Sequence, residues 1–213
     1  MPNNRGNISA ERLKVPTQTL AWDWLFSSSS QTFKSKPITI KGFTNTTTNE
    51  RLTHQQIKDY STYLSRTLVK DHDLREGDVV SICSPNSVWF PVGMFGVMRA
   101  GGISALSSPG YTEDEMVHVL KTVGCKFIMT SASALRVVQK ASGRLGIDQS
   151  RIFILDGQAK GFKSIGDLLE VGRRGGEAGQ VKPSKLAAGK NNSDVCALLC
   201  FSSGTTGLPK AVC

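Results

Sequence analysis

Long apolar runs are missing from these 213 residues: the longest, Val88 to Met98, covers about half of the ~20 positions that a membrane-spanning helix needs. The opening MPNNRGNISAERLKV has no apolar core for a signal peptide, so secretion and membrane insertion are not expected and the expected location is cytoplasmic. Cysteine is scarce and scattered, five residues in all, which does not make a disulfide scaffold. The three histidines, His54, His72 and His118, stand far apart with no cysteine or carboxylate at zinc-type spacing, so no metal site is expected from them. Aromatic residues are only 7% and no internal repeat occurs. With 39% hydrophobic residues the composition is that of an ordinary globular chain, enough for the core of one domain.

Acidic residues are also in deficit, 17 against 26 Lys and Arg, a net charge of +9. The imbalance comes from two stretches. Residues 1 to 52 carry seven basic residues against three acids, and residues 160 to 190 again seven against three. A nucleic-acid binder gathers its positive charge on one face, often with interleaved aromatics; here the excess lies in a polar leader and a Gly/Lys-rich connector, so no nucleic-acid partner is expected.

Residues 1–36 read as a loosely ordered leader whose cluster Leu20, Trp22, Trp24, Leu25 and Phe26 docks on a domain surface as an edge feature. From 37 to 171 strands and helices alternate. Pro37 to Phe43 has the period of a half-buried strand, Thr44 to Glu50 is turn chemistry, and Thr53 can cap a helix with Ile57, Tyr60, Leu64, Leu68 and Val69 at helical spacing. Strands follow at 78–83, 103–106, 125–130 and 151–155. Helices are expected from Asn86 through Met98, with Pro91 in the first turns, over 113–123 behind the cap Thr112, over 132–145, and over 165–171. Such alternation indicates α/β architecture, a parallel sheet with helices on both faces. Residues 172–192, rich in glycine and lysine, read as a flexible connector. Over 193–213, the nearly unbroken apolar run Val195 to Phe201 reads as a buried central strand that feeds Ser202-Ser203-Gly204-Thr205-Thr206-Gly207-Leu208-Pro209-Lys210.

That loop has what a polyphosphate needs. Glycines let backbone amides turn toward an anion, hydroxyls add donors, and Lys210 supplies a compact positive charge. The nucleotide pattern G-x-x-x-x-G-K-[ST] fails here, because Pro209 precedes the lysine and Ala211 stands where a metal-binding hydroxyl belongs. Only three residues remain after Lys210 to build the helix on which such a loop rests.

Phe201 to Val212 resembles the AMP-binding signature of the adenylate-forming superfamily, in its acyl-CoA synthetase branch of 4-coumarate-CoA ligases and firefly luciferases. Supporting matches occur in order at Leu52-Thr53-His54, Gly77 to Val80, Ser84 to Ser87, Phe95 to Gly102 and Pro109 to Glu115, covering about 37 to 212. The resemblance implies the N-terminal part of that fold. It also implies a chemistry in which a carboxylic acid attacks the α-phosphate of ATP, releasing pyrophosphate, and CoA then displaces AMP to give a thioester. The positions matching the phosphate-holding loop are Ser202, Ser203, Gly204, Thr205, Thr206, Gly207 and Lys210, with Thr206 nearest Mg²⁺.

Three departures from the family pattern stand out. Ala211 replaces a glycine, which is expected to stiffen the loop exit, and Ser107-Ser108 replace an asparagine before Pro109, which is expected to loosen that turn. Relatives are more than twice this length, and their catalytic Lys, acyl pocket and further nucleotide contacts lie beyond the position of Cys213. A truncated chain is therefore expected to be inactive alone, since loss of even one preorganised donor costs ~100 to 1,000-fold in rate. The alternative is a non-catalytic remnant that binds polyphosphate weakly, or an interaction protein that associates with an intact homologue through an open sheet edge.

Other residues have plainer readings. Cys196 and Cys200, four apart in a strand, are too far apart for a mutual disulfide and read as core packing. Met94 and Met98 read as core, and Asp71, Asp73, Glu113, Asp114 and Glu115 as solvated helix-end charges. The sequence Asn45-Thr46-Thr47 fits a glycosylation acceptor but lacks a secretory route. Ala211-Val212-Cys213 is not a peroxisomal ending.

Overall fold

The computed structural model describes residues 17–26, 42–176, 180–203 and 207–213. Asn45 builds the first turn, its side-chain oxygen accepting from the amides of Thr47 and Thr48. This joins β1 (Phe43–Thr44) to β2 (Arg51–Leu52) as an antiparallel hairpin. The expected strand from Pro37 falls, over 37–41, outside the described residues.

Thr53 starts α2 (His54–His72) with a reciprocal cap: its hydroxyl accepts from the Gln56 amide and the Gln56 side chain accepts from the Thr53 amide. The alternation then runs β3 (Val79–Cys83), α3 (Trp89–Arg99), β4 (Ile103–Ser107), α4 (Glu113–Thr122), β5 (Cys125–Ser131), α5 (Leu135–Arg144) and β6 (Ile152–Asp156). A two-residue strand β7 (Lys163–Ser164), too short to leave a pattern in the sequence, leads into α6 (Ile165–Arg174). Pro91 sits in the first turn of α3, where its missing N–H takes no helical bond away.

Strands β3 to β9 form one sheet in the order β7-β6-β5-β3-β4-β8-β9, where β8 is Leu198–Ser203 and β9 is Pro209–Val212. Every pair is parallel except β8 with β9. Strand side chains alternate between two cores, as the period of 2 requires. Val80, Ile82, Phe127, Met129, Phe153 and Leu155 meet α2, α3, α6 and the short α1 (Ala21–Phe26), whereas Ile128, Ile152 and Ile154 meet α4 and α5. The crossover from β3 to β4 therefore lies on one face and that from β4 to β5 on the other. Open α/β sheets take their ligands outside the carboxyl ends of the strands.

Three expectations change. Trp22 and Phe26 of the supposed leader are 7% and 6% exposed and belong to the same core cluster as Leu64 and Val92, so this segment is part of the core. The connector does not begin at Gly172, because α6 continues to Arg174; Glu170 pairs with Arg173 and Arg174 across its last turn, and Gly172 lies against α2. Finally, β8 is not a buried central strand. Residues Leu198 to Ser202 are half-buried or exposed, and no described residue beyond Leu169 joins either apolar cluster. An apolar run shows that a strand is suited to burial, not that layers cover both its faces.

Candidate functional site

Parallel strands deliver their carboxyl ends to one edge of the sheet, and there the singled-out loop leaves β8. Register pairs Cys83 with Ser107 on β3 and β4, and Leu106 with Cys200 on β4 and β8, so Ser202 and Ser203 project past the end of β4. The chain then returns as β9, an antiparallel partner that places Ser202 opposite Lys210, and Phe201 opposite Ala211. Directly paired residues of antiparallel strands present their side chains on one face, with Cβ atoms about 5 Å apart. Ser202 and Lys210 are both exposed, so a hydroxyl and an ammonium stand side by side at the root of the loop.

Of the seven predicted positions, Ser202, Ser203 and Lys210 lie in this ladder, while Gly204, Thr205 and Thr206 fall outside the described residues. Gly207 enters the return with φ +91°, in the left-handed region that disfavours a side chain, which explains glycine there. After Lys210 the chain is a strand, not a helix, which separates this loop from the nucleotide-binding pattern already excluded. Ala211 sits in that extended ladder, where an ordinary residue fits.

A contact that the sequence does not advertise secures the return strand. His118, on α4 and 91 residues away, meets the carbonyl oxygen of Pro209 through Nε2 at 3.1 Å. Since a carbonyl only accepts, Nε2 must carry the hydrogen. The bond holds the peptide group from which Lys210 leaves. No spacing rule connects a helix position with a residue so far along the chain, so only the fold finds it.

The neighbouring turn is well tied. Ser107 shares a 2.8 Å hydrogen bond with Ser81 between hydroxyls, and the Ser108 hydroxyl accepts from the Gly110 amide at 3.2 Å. The two serines thus do not loosen it, contrary to expectation. Thr112 and Glu115 then cap α4 reciprocally, and the amide and hydroxyl of Thr112, both donating to the Glu115 carboxylate, hold that carboxyl below its ordinary range. Among the described residues no group of three His, Cys, Asp or Glu is placed to hold a metal ion. The described donors around the loop are hydroxyls, amides and one ammonium, a set that suits an anion and does not by itself build a resident Mg²⁺ site.

The cysteines also differ from expectation. Cys196 is bonded to Cys213, with Cα atoms 6.2 Å apart, and Cys200 is exposed, so neither Cys196 nor Cys200 is core packing. The spacing argument rightly separates Cys196 from Cys200, but the antiparallel return of β9 brings Cys213 back beside Cys196.

The family model for AMP-binding enzymes matches residues 26–213. The chain belongs to the AMP-binding enzyme family. Among curated members, 4-coumarate-CoA ligase 1 of Narcissus pseudonarcissus is 29% identical over 215 residues, covering 100% of this chain and 36% of the relative. Oxalate–CoA ligase of Arabidopsis thaliana is 29% identical over 161 residues, 76% of this chain and 29% of its own. The red-emitting luciferase of Phrixothrix hirtus superposes with a TM-score of 0.75 at 25% identity, over 95% of this chain and 46% of that one. An anthranilate CoA ligase in complex with anthranoyl-AMP has the same fold, with a TM-score of 0.69 at 22% identity, covering 93% of this chain and 35% of its own. This family member thus spans about a third of the length of the curated relatives it matches, and corresponds to their N-terminal part. No helix among its described residues is long and apolar enough to cross a membrane.

Proposed function

We propose that the loop from Ser202 to Lys210 binds the polyphosphate of ATP, as one component of an adenylate-forming acyl-CoA ligase that activates a carboxylic acid and transfers it to CoA. The observation that carries this reading is the register of β8 and β9: Ser202 and Lys210 face one another at the carboxyl edge of a parallel sheet, at the mouth of a Ser/Thr/Gly loop. Gly204, Thr205, Thr206 and Gly207 would contribute backbone amides and hydroxyls, and Ser203 a further amide. In the ligase reaction the leaving group is pyrophosphate. A fixed ammonium and oriented donors stabilise charge as it moves onto that group, and they act before any step that uses CoA. Thr206 would supply a hydroxyl toward a Mg²⁺ ion that accompanies the nucleotide.

Calorimetric titration of the 213-residue chain with inorganic pyrophosphate and with ATP tests the site. Lys210→Ala is expected to weaken both by roughly tenfold, the loss of one charge-assisted contact. Identical binding by the variant, or no binding by either protein, rejects the reading. Carboxylate-dependent exchange of pyrophosphate into ATP then separates catalysis from binding alone. Association with an intact homologue is the second reading, favoured by exposed Val195, Leu208 and Val212 around the outer strand β9; co-purification with a full-length ligase is its test.

A further inference from the structure

Cys196 lies just before β8 and Cys213 just after β9, so their disulfide closes a covalent ring around the whole loop-bearing hairpin. We propose that this bond is a redox switch on the loop: oxidised, it holds Ser202 and Lys210 in their anion-binding register, and reduced, it releases them. The inference rests on the polyphosphate reading of that loop.

Packing explains why a crosslink matters here. No described residue of the hairpin joins either apolar cluster, and its described ties are the β8 ladder to β4, the β9 ladder to β8, the contact of β9 with α4 that includes the His118 bond, and the disulfide. A hairpin without a core is the kind of element that opens locally at small cost. A covalent ring removes many of the open conformations available to it.

Chemistry confines the switch to this hairpin. Burial pushes the thiol of Cys83 up to about 11 and that of Cys125 up to about 12, so both are protonated and unreactive at neutral pH. Cys213 is exposed and Cys196 half-buried, which leaves their bond open to a small thiol. A thiolate of a cellular dithiol or of the glutathione class attacks Sγ of Cys213. The Sγ–Sγ bond breaks, and its electron pair leaves on Cys196, which takes a proton. A second reductant thiol then displaces the Cys213 thiolate, which is protonated in turn. Two electrons pass to the protein, and the two reductant thiols become a disulfide. Cys200, exposed on β8 opposite Val212, is a third thiol that the switch does not use.

The test uses the 213-residue chain oxidised with glutathione disulfide or reduced with dithiothreitol, its state verified by mass after alkylation with iodoacetamide. Pyrophosphate is titrated calorimetrically into each. The oxidised chain is expected to bind roughly tenfold more tightly, the size of a modest shift in the population of ordered hairpin. C196S and C213S should each match the reduced form under both conditions, and C200S should retain the difference. Equal affinity of the two verified states overturns the switch while leaving the polyphosphate reading intact. Failure of both states to bind rejects that reading and the switch with it. Free Cys196 and Cys213 thiols after oxidation overturn the switch alone.

Discussion

The hydrogen bond from His118 to Pro209 is one neutral contact, yet it acts on the peptide that aims Lys210. A single bond of this kind contributes about 1 kcal/mol. That amount matters in a hairpin outside both cores and not elsewhere. His118→Phe keeps the bulk and loses the donor. It should speed amide hydrogen exchange over 210–212 several-fold, while the amides of β3 and β5 stay unchanged. His118→Gln retains an N–H and should restore protection; equal exchange in all three proteins would show that the bond orders nothing. The residues whose roles are local were readable from the sequence. Thr53 and Thr112 cap their helices because a hydroxyl three positions before Gln56 or Glu115 has only the near backbone to satisfy. His118 and Cys213 were not readable, because their partners, Pro209 and Cys196, are brought to them by strand pairing.

At the scale of elements, α2 against α6 shows how tightly the first layer is built. The backbone of α6 approaches α2 so closely that a Cβ on Gly172 would lie 2.0 Å from the Tyr63 carbonyl oxygen, and the Thr67 hydroxyl donates to the Leu168 carbonyl at 2.7 Å. Gly172→Ala must push the helices apart, at a cost of about 1–3 kcal/mol. Thermal unfolding should show a loss of several degrees; an unchanged midpoint would mean that the helices separate freely. Gly172 reads from the sequence as the start of a connector, since a glycine near other glycines signals a loop. The helix continues through it because close packing repays the glycine's poor propensity. The Glu170 pairs with Arg173 and Arg174 add to this at the surface. The same limit explains β8: its residues specify a strand, and neighbouring layers specify how deeply it lies.

For the whole molecule, the carboxylates set the response to acid. Hydrogen bonds from Arg173 and Arg174 hold Glu170 down to about 2, and hydrogen bonds from Ser164, Thr112 and Ser150 hold Asp167, Glu115 and Asp148 below their ordinary ranges. A group depressed in the folded state stabilises it above its unfolded value, here 3.8 to 4.5, and loses that stabilisation as pH falls through the folded value. The contribution of these carboxylates should be constant above pH 5 and decline from about 4.5 toward 2, more gently in high salt because these pairs are exposed. A midpoint in urea that does not change between pH 5 and pH 3 would remove these carboxylates from the account. The sequence by itself determined the alternation of strands and helices, the parallel α/β class and the run of hydroxyl, glycine and lysine residues on which the proposed anion site rests. Those follow from periodicity, capping and residue type, which act over a few neighbours. Tertiary structure alone decided that Trp22 and Phe26 complete the core, that β8 lies beside an edge, and that Ser202 faces Lys210 within a ring closed by Cys196 and Cys213. Each of these depends on which distant segments pair, and pairing is settled by the burial and register of the whole sheet.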